Sequence, residues 1–189
     1  MITIRNKYAL PLMNELRSRL GKATVFTKLD LKNGYYLIHM AEGEEWKMAF
    51  KSQYGLYECT VMSFGLCNAP STFQGMINDV FRAMLDVGVI AYMDTTPIHS
   101  VITEEHVPMV RKVMDRLRKA GLCVSIKKST FHAREVQFLG YKISDHGISM
   151  TTKKVEEIMA WLPPQRSLMC KALWALSIFT IGLLRDLGR

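Results

Sequence analysis

The sequence predicts an α+β fold, an antiparallel sheet with helices on one face. Residues 23–31 alternate, with Val25, Thr27 and Leu29 on one side and Phe26, Lys28 and Asp30 on the other, which is strand behaviour. Phe73, Met76, Ile77, Val80, Phe81, Met84 and Leu85 instead recur at helical spacing and make one buried stripe. The third observation is the stretch VIAYMDTTPIHS, Val89 to Ser100. An apolar run reaches a carboxylate at Asp94 and a second apolar segment leaves it, which reads as a β-hairpin with an acid at its tip.

The elements follow in chain order. Ile2 to Pro11 reads as extended chain closed by proline, so the chain is expected to begin partway into a fold, and Leu12, Leu16 and Leu20 give a short helix ended by Gly21. After the strand 23–31, Lys32, Asn33 and Gly34 turn the chain. Glu45 to Lys51 and Leu56 to Phe64 flank Ser52 to Gly55 as a hairpin. Asn68 is the expected N-cap of the periodic helix, with Pro70 in its first turn, and Gly88 ends it and releases the strand to Asp94.

Thr103 to Ala120 carries Val110, Val113, Met114 and Leu117 on one face and Arg111, Lys112, Arg118 and Lys119 largely on the others, a basic amphipathic helix closed by Gly121. Pro108 lies within it and costs about 3 kcal/mol unless the helix starts there. Leu122 to Ile126, Val136 to Ile143 and Gly147 to Ser149 read as strands. Thr152 caps a helix running to Leu162, where Pro163 and Pro164 stop it. The tail from Leu168 to Leu184 is apolar except for Lys171, Ser177 and Thr180. It is short for a membrane span and charged within, so it reads as a helix meant to pack on something else, and no membrane partner is expected.

With 189 residues, 49% of them hydrophobic, the chain can bury a core. Its 25 Lys and Arg outnumber 17 Asp and Glu, giving a formal charge of +8 concentrated between Arg111 and Lys128. That suits a polyanionic partner, though a solvated basic helix face explains the charge as well. The four cysteines form no CxxC pair, and MITIRNKYALP lacks the apolar core of a signal peptide. An intracellular setting, cytoplasmic or nuclear, is expected rather than secretion.

Asp30 and Asp94, at the ends of two apolar strands, suggest paired carboxylates for a divalent metal. Two Mg²⁺ ions about 4 Å apart activate a hydroxyl nucleophile and neutralise a leaving pyrophosphate. By themselves two distant acids are weak evidence, because structural or solvent-exposed acids are commoner.

A longer pattern adds to this. The segments FTKLDLKNGYYLI, EGEEWKMAF, YGLYECTVMSFGLCNAPSTFQ, AYMD, EEH, EVQFLGYKISDHGISM and KKVEEIMAW occur in this order. Together they resemble the reverse transcriptase, the RNA-directed DNA polymerase, of gypsy-type long-terminal-repeat retrotransposons and related pararetroviruses, over about Ile2 to Trp161. The resemblance implies the palm and partial fingers of a right-hand polymerase over 1–162, and a degenerate thumb start over 163–189. It implies a nucleotidyltransferase that uses Mg²⁺ or Mn²⁺, deoxynucleotides and an RNA or DNA template-primer.

Residue by residue, the resemblance makes Asp30 and Asp94 the catalytic, metal-binding aspartates, with the Leu31 carbonyl beside them. Tyr35 becomes the aromatic gate that would clash with a ribose 2′-hydroxyl; Phe64 and Gly65 become the floor of the nucleotide pocket. Asn68 and Gln74 fall on the helix that backs the template, and Tyr92, Met93, Leu139 and Gly140 on the primer side, the last two as the primer grip. Lys128 matches the lysine that would protonate the leaving pyrophosphate. A packed aromatic, a solvated lysine and a buried strand residue are the plainer readings of Tyr35, Lys128 and Leu139.

The departures matter as much. The family reads Tyr, an apolar residue, Asp, Asp, whereas this chain reads Tyr92, Met93, Asp94, Thr95, so Thr95 marks a lost acid. Thr96 and Pro97 replace two apolar strand residues, and Pro97 deletes a ladder donor. The segment after Pro164 keeps little of the family's thumb pattern. Two readings therefore stand: a polymerase domain with low or absent activity through Asp30 and Asp94, or a catalytically dead remnant that binds nucleic acid or protein. Uncovered apolar palm surface makes self-association an expectation in either case.

Overall fold

The computed structural model describes residues 4–8, 11, 20, 23–85 and 87–160. The expected helix over 12–20 falls almost wholly outside them, as do the apolar tail and the 162/163 domain boundary.

The sheet is built on β1 (Val25–Lys32), which pairs antiparallel with β4 (Thr95–Ser100) from Val25↔Ser100 through to Asp30↔Thr95. On its other edge β1 meets β5 (Cys123–Val124) and β6 (Thr130–Ala133), the latter across an irregularity between Phe26 and Lys28. The two faces of β1 go where the alternation predicts. Leu29 and Leu31 enter a core with Phe73, Ile77 and Phe81 of helix α1 (Ala69–Phe81) and Val113 and Leu117 of helix α2 (Thr103–Lys119). Phe26 enters a second cluster with Val136, Phe138 and Ile143. Those residues belong to a separate antiparallel sheet, β7 (Glu135–Phe138), β8 (Tyr141–Ser144) and β9 (Gly147–Met150), followed by helix α3 (Thr152–Met159). Lys28 ties the sheets together by donating to the Gln137 carbonyl at 3.0 Å.

Several boundaries differ from expectation, each for a local reason. The 89–93 segment makes only isolated bridges, Val89 with Ile98 and with Leu85 and Tyr92 with Thr95, rather than a full strand. Ile90 N–H donates to the Pro97 carbonyl at 2.9 Å, and proline has no N–H to return, so the ladder breaks there. Helix α2 starts at Thr103, five residues before Pro108, which sits inside it. Glu104 and Glu105 in the first turn offset part of that cost at the positive helix end.

The expected strand 136–143 is two strands folded at Leu139–Gly140, where both residues have positive φ (50° and 79°) as a two-residue hairpin turn requires. Strand β5 is shorter than 122–126, and β6 was not expected. Glu45–Met48 is a 3-10 turn (η2) leading into the small hairpin of β2 (Phe50–Ser52) and β3 (Gly55–Tyr57). Helix α1 ends at Phe81, yet Met84 beyond it stays buried, so the apolar stripe outlives the helix.

Candidate active site

The site forms at the end of the β1–β4 ladder. Asp30 stands opposite Thr95, and Leu31 N–H donates to the Asp94 carbonyl at 2.7 Å, so both acids lie at one end of a single ladder. Asp94 is at the tip of the hairpin, as its apolar flanks predict. Tyr92 and Thr95 exchange backbone hydrogen bonds at 3.0 Å in both directions, closing a two-residue turn of Met93 and Asp94, with Met93 at φ 48°. A positive φ at a long side chain is strained, so the turn needs outside support.

Gln74 supplies that support. It is fully buried; its Oε1 accepts from Met93 N–H at 2.8 Å, and its Nε2 donates to the Ala91 carbonyl and to Asn78 Oδ1, each at 2.9 Å. One amide thus braces the backbone entering the Asp94 turn, at Ala91 and at Met93. Gln74 lies on the helix expected to back the template, and its buried amide is bonded to the turn. Asn68 occupies the N-cap position without a side-chain cap bond, and its amide holds residues 4–6 in place.

Tyr35 lies on the 3-10 turn η1 (Gly34–Leu37) and is buried. Its ring stacks on Phe73 at 4.7 Å, tilts against Phe64 at 4.7 Å, and its hydroxyl donates to Met93 Sδ at 3.6 Å. Burial, and after it the Asp94 carboxylate, push the Tyr35 hydroxyl above the ordinary tyrosine value. Phe64 stays mostly exposed over Tyr35 and Tyr36, and Gly65 adopts φ 94° beside it.

Asp30 is anchored from behind. Its N–H donates to Ser129 Oγ at 3.0 Å, its carbonyl accepts from Ser125 N–H at 2.8 Å, and Ser129 Oγ donates to the Ser125 carbonyl at 2.8 Å. Lys128 brings its ammonium to 3.9 Å from Asp30 Oδ1, an exposed and therefore weak ion pair. The serines were missed in the sequence; their four-residue spacing around Lys127 and Lys128 was the available signal. Tyr92 packs edge-on against Phe138, and the Leu139–Gly140 turn is held by Thr151, whose N–H and hydroxyl both donate to the Gly140 carbonyl at 3.2 Å.

The profile of the family described as reverse transcriptase (RNA-dependent DNA polymerase) matches residues 2–143. The chain belongs to the reverse transcriptase family. Among its relatives are the transposon Tf2-3 and Tf2-4 polyproteins of Schizosaccharomyces pombe, each 38% identical over 160 residues that make up 85% of this chain. The match spans 12% of each polyprotein, so this reverse transcriptase domain corresponds to a small part of those relatives.

Solved structures share the fold. A foamy viral protease-reverse transcriptase in complex with double-stranded DNA superposes with a TM-score of 0.81 over 93% of this chain and 31% of that one, at 23% identity. The foamy viral enzyme in complex with RNA/DNA hybrid superposes with a TM-score of 0.76, over 93% and 24%, also at 23% identity. The α+β architecture is that of the polymerase palm and fingers. Among the described residues no helix is long and apolar enough to cross a membrane.

Asp30 and Asp94 share one ladder end, but no third His, Cys, Asp or Glu joins them as a metal group among the described residues. Thr95 contributes a neutral hydroxyl, 3.5 Å from Asp94 Oδ1.

Proposed function

We propose that this domain is the palm with adjoining fingers of a gypsy-type long-terminal-repeat retrotransposon reverse transcriptase, related also to pararetroviral enzymes, that binds a template-primer and extends it feebly or not at all. The observation that carries this is Thr95 opposite Asp30. In this reading Asp30 and Asp94 hold one Mg²⁺ or Mn²⁺ with the Leu31 carbonyl. Such an ion, when bound, lowers the pKa of a primer hydroxyl and offsets charge on the transferred phosphate.

The chain's own residues do the rest. Tyr35, fixed between Phe73 and Met93, presents a rigid aromatic wall where an incoming deoxynucleotide's sugar would lie. Phe64 and Gly65 form the adjoining floor, and the Leu139–Gly140 turn offers backbone to a primer end. Lys128 brings a proton donor within reach of Asp30. The division at 162/163, an intracellular setting and self-association through exposed Trp46, Phe50, Tyr54 and Leu56 belong to the same reading.

The missing carboxylate also favours the second reading, a domain that binds nucleic acid or protein without catalysis. Primer extension on a labelled oligonucleotide template-primer, with Mg²⁺ and then Mn²⁺, separates the two. Robust extension by the unmodified chain overturns the proposed impairment.

A further inference from the structure

The buried Gln74 amide engages its oxygen and both of its hydrogens. Oε1 accepts from Met93 N–H at 2.8 Å, one Nε2 hydrogen goes to the Ala91 carbonyl at 2.9 Å, and the other goes to Asn78 Oδ1 at 2.9 Å. Asn78 lies one turn of α1 further on, at the spacing that brings two helical side chains together. The terminal torsion of a glutamine is broad, so the two bonds to one backbone segment leave its amide able to rock about the line joining them. The Asn78 oxygen is the third point of attachment and sets the plane.

Asn78 is in turn oriented from outside. Residues 4–8 lie as a strap along α1, with Asn68 Nδ2 donating to the Ile4 carbonyl at 2.8 Å and Asn78 Nδ2 donating to the Tyr8 hydroxyl at 2.9 Å. The Tyr8 ring rests over Gly75, where an added Cβ would touch it at 3.6 Å, and this brings its hydroxyl to Asn78. With Nδ2 engaged by Tyr8, the oxygen of Asn78 is the atom left for Gln74. Donation therefore runs one way, from Met93 to Gln74, from Gln74 to Asn78 and from Asn78 to Tyr8, an arrangement in which each bond strengthens the next. At the inner end Met93 Sδ also accepts from the Tyr35 hydroxyl at 3.6 Å, so the Asp94 turn and the aromatic wall meet at one residue.

We propose that Asn78 is a positioning residue for the Asp94 turn, acting through the Gln74 amide that it locks. Met93 has φ 48°, and a strained turn keeps its geometry only while its surroundings over-determine it. Asn78 supplies the last of those constraints. Its part in catalysis rests on the reading of Asp94 as an active-site carboxylate.

Amide hydrogen exchange on the full 189-residue chain, followed residue by residue by NMR, reads the turn directly. Asn78→Leu keeps a side chain of similar size without an acceptor. It should speed exchange at Met93 N–H by about tenfold or more, while Leu29 and Ile77 in the core change by less than about threefold. Asn78→Asp still offers an oxygen to Gln74, and the Tyr8 hydroxyl can turn to donate to it, so Met93 exchange should stay within about threefold of the unmodified chain. Unchanged Met93 exchange in Asn78→Leu overturns the proposal, as does an equal rise at Leu29 and Ile77, or an Asn78→Asp variant as fast as Asn78→Leu. If Asn78→Leu does not fold, Asn78→Ser, whose hydroxyl falls short of Gln74, is read on the same amides with the same outcomes. Thermal melting with Mn²⁺ tests the reading of Asp94 separately. A chain stabilised by Mn²⁺ whose Met93 ignores Asn78→Leu loses only the proposal; one with the expected exchange pattern and no response to Mn²⁺ loses the reading and keeps Asn78 as the brace of the turn.

Discussion

Thr95 stands directly across the β1–β4 ladder from Asp30. Side chains of directly opposed residues share a face with their Cβ atoms roughly 5 Å apart. In the proposed reading, the position emptied of its acid is therefore the one facing the first aspartate. Two divalent ions about 4 Å apart repel by roughly 16 kcal/mol at an effective dielectric of 20, and a hydroxyl carries no charge to offset that.

Thr95→Asp should thus have two opposite effects. Without metal it places like charges across the ladder and should lower stability by up to about 1 kcal/mol. With Mn²⁺ the melting temperature should recover further than in the unmodified chain. Any metal-dependent extension should rise by about a thousandfold, the equivalent of about 4 kcal/mol, while Asp30→Ala abolishes it. Thermal melts with and without Mn²⁺ check the first part and primer extension the second; a Thr95→Asp protein that is indifferent to Mn²⁺ in melting would count against the site.

Gln74→Leu should destabilise the fold by roughly 2 to 4 kcal/mol, because it strips partners from Met93 N–H and the Ala91 carbonyl and buries them unpaired. Urea denaturation measures this. A change under about 0.5 kcal/mol would mean that the Asp94 turn supports itself.

Gly34→Ala should cost about 1 to 3 kcal/mol, since the new Cβ would lie 2.5 Å from the Phe73 ring that Tyr35 stacks on. The same denaturation series reads the loss. Equal stability would show that the Phe73 ring yields freely.

Thr96 is fully buried and its hydroxyl has no hydrogen-bond partner among the described residues. Thr96→Val keeps the shape and removes the orphan, so it should stabilise by about 1 kcal/mol or more. A loss of stability on that change would imply a partner for the hydroxyl.

His106, on α2, bonds Thr27 Oγ1 through Nε2 at 2.7 Å and Ser100 Oγ through Nδ1 at 3.0 Å, and its ring lies edge-on to His132. Burial first, and His132 second, lower its pKa below the ordinary 6.5. The unfolded chain therefore takes up a proton at higher pH than the folded one. The stability this contributes is present above about pH 6.5 and is lost as pH falls toward the folded-state value. Urea midpoints between pH 7.5 and 5 should fall with pH, and His106→Gln should flatten that dependence.

The sequence alone carried the fold class and the two aspartates, because strand and helix periods are written in residues a few positions apart. Val25 to Leu31 and Phe73 to Met84 announce which faces are buried without knowledge of what buries them. In the proposed reading Thr95 marks a lost acid, and that too is read from a short motif. Pro97 predicted a missing ladder donor, and Ile90 N–H donates to the Pro97 carbonyl with no bond returned from proline.

Tertiary structure alone decided which distant residues serve those short motifs. Gln74 reads in sequence as one polar residue on a helix, and only the packing of α1 beneath the turn brings its amide to Met93. Ser129 behind Asp30, Asn68 beneath the strap and His106 between Thr27 and Ser100 are of the same kind. Periodicity records burial through the chain's own geometry, whereas a hydrogen bond between residues far apart in the chain depends on where two elements cross, and no local pattern encodes that crossing.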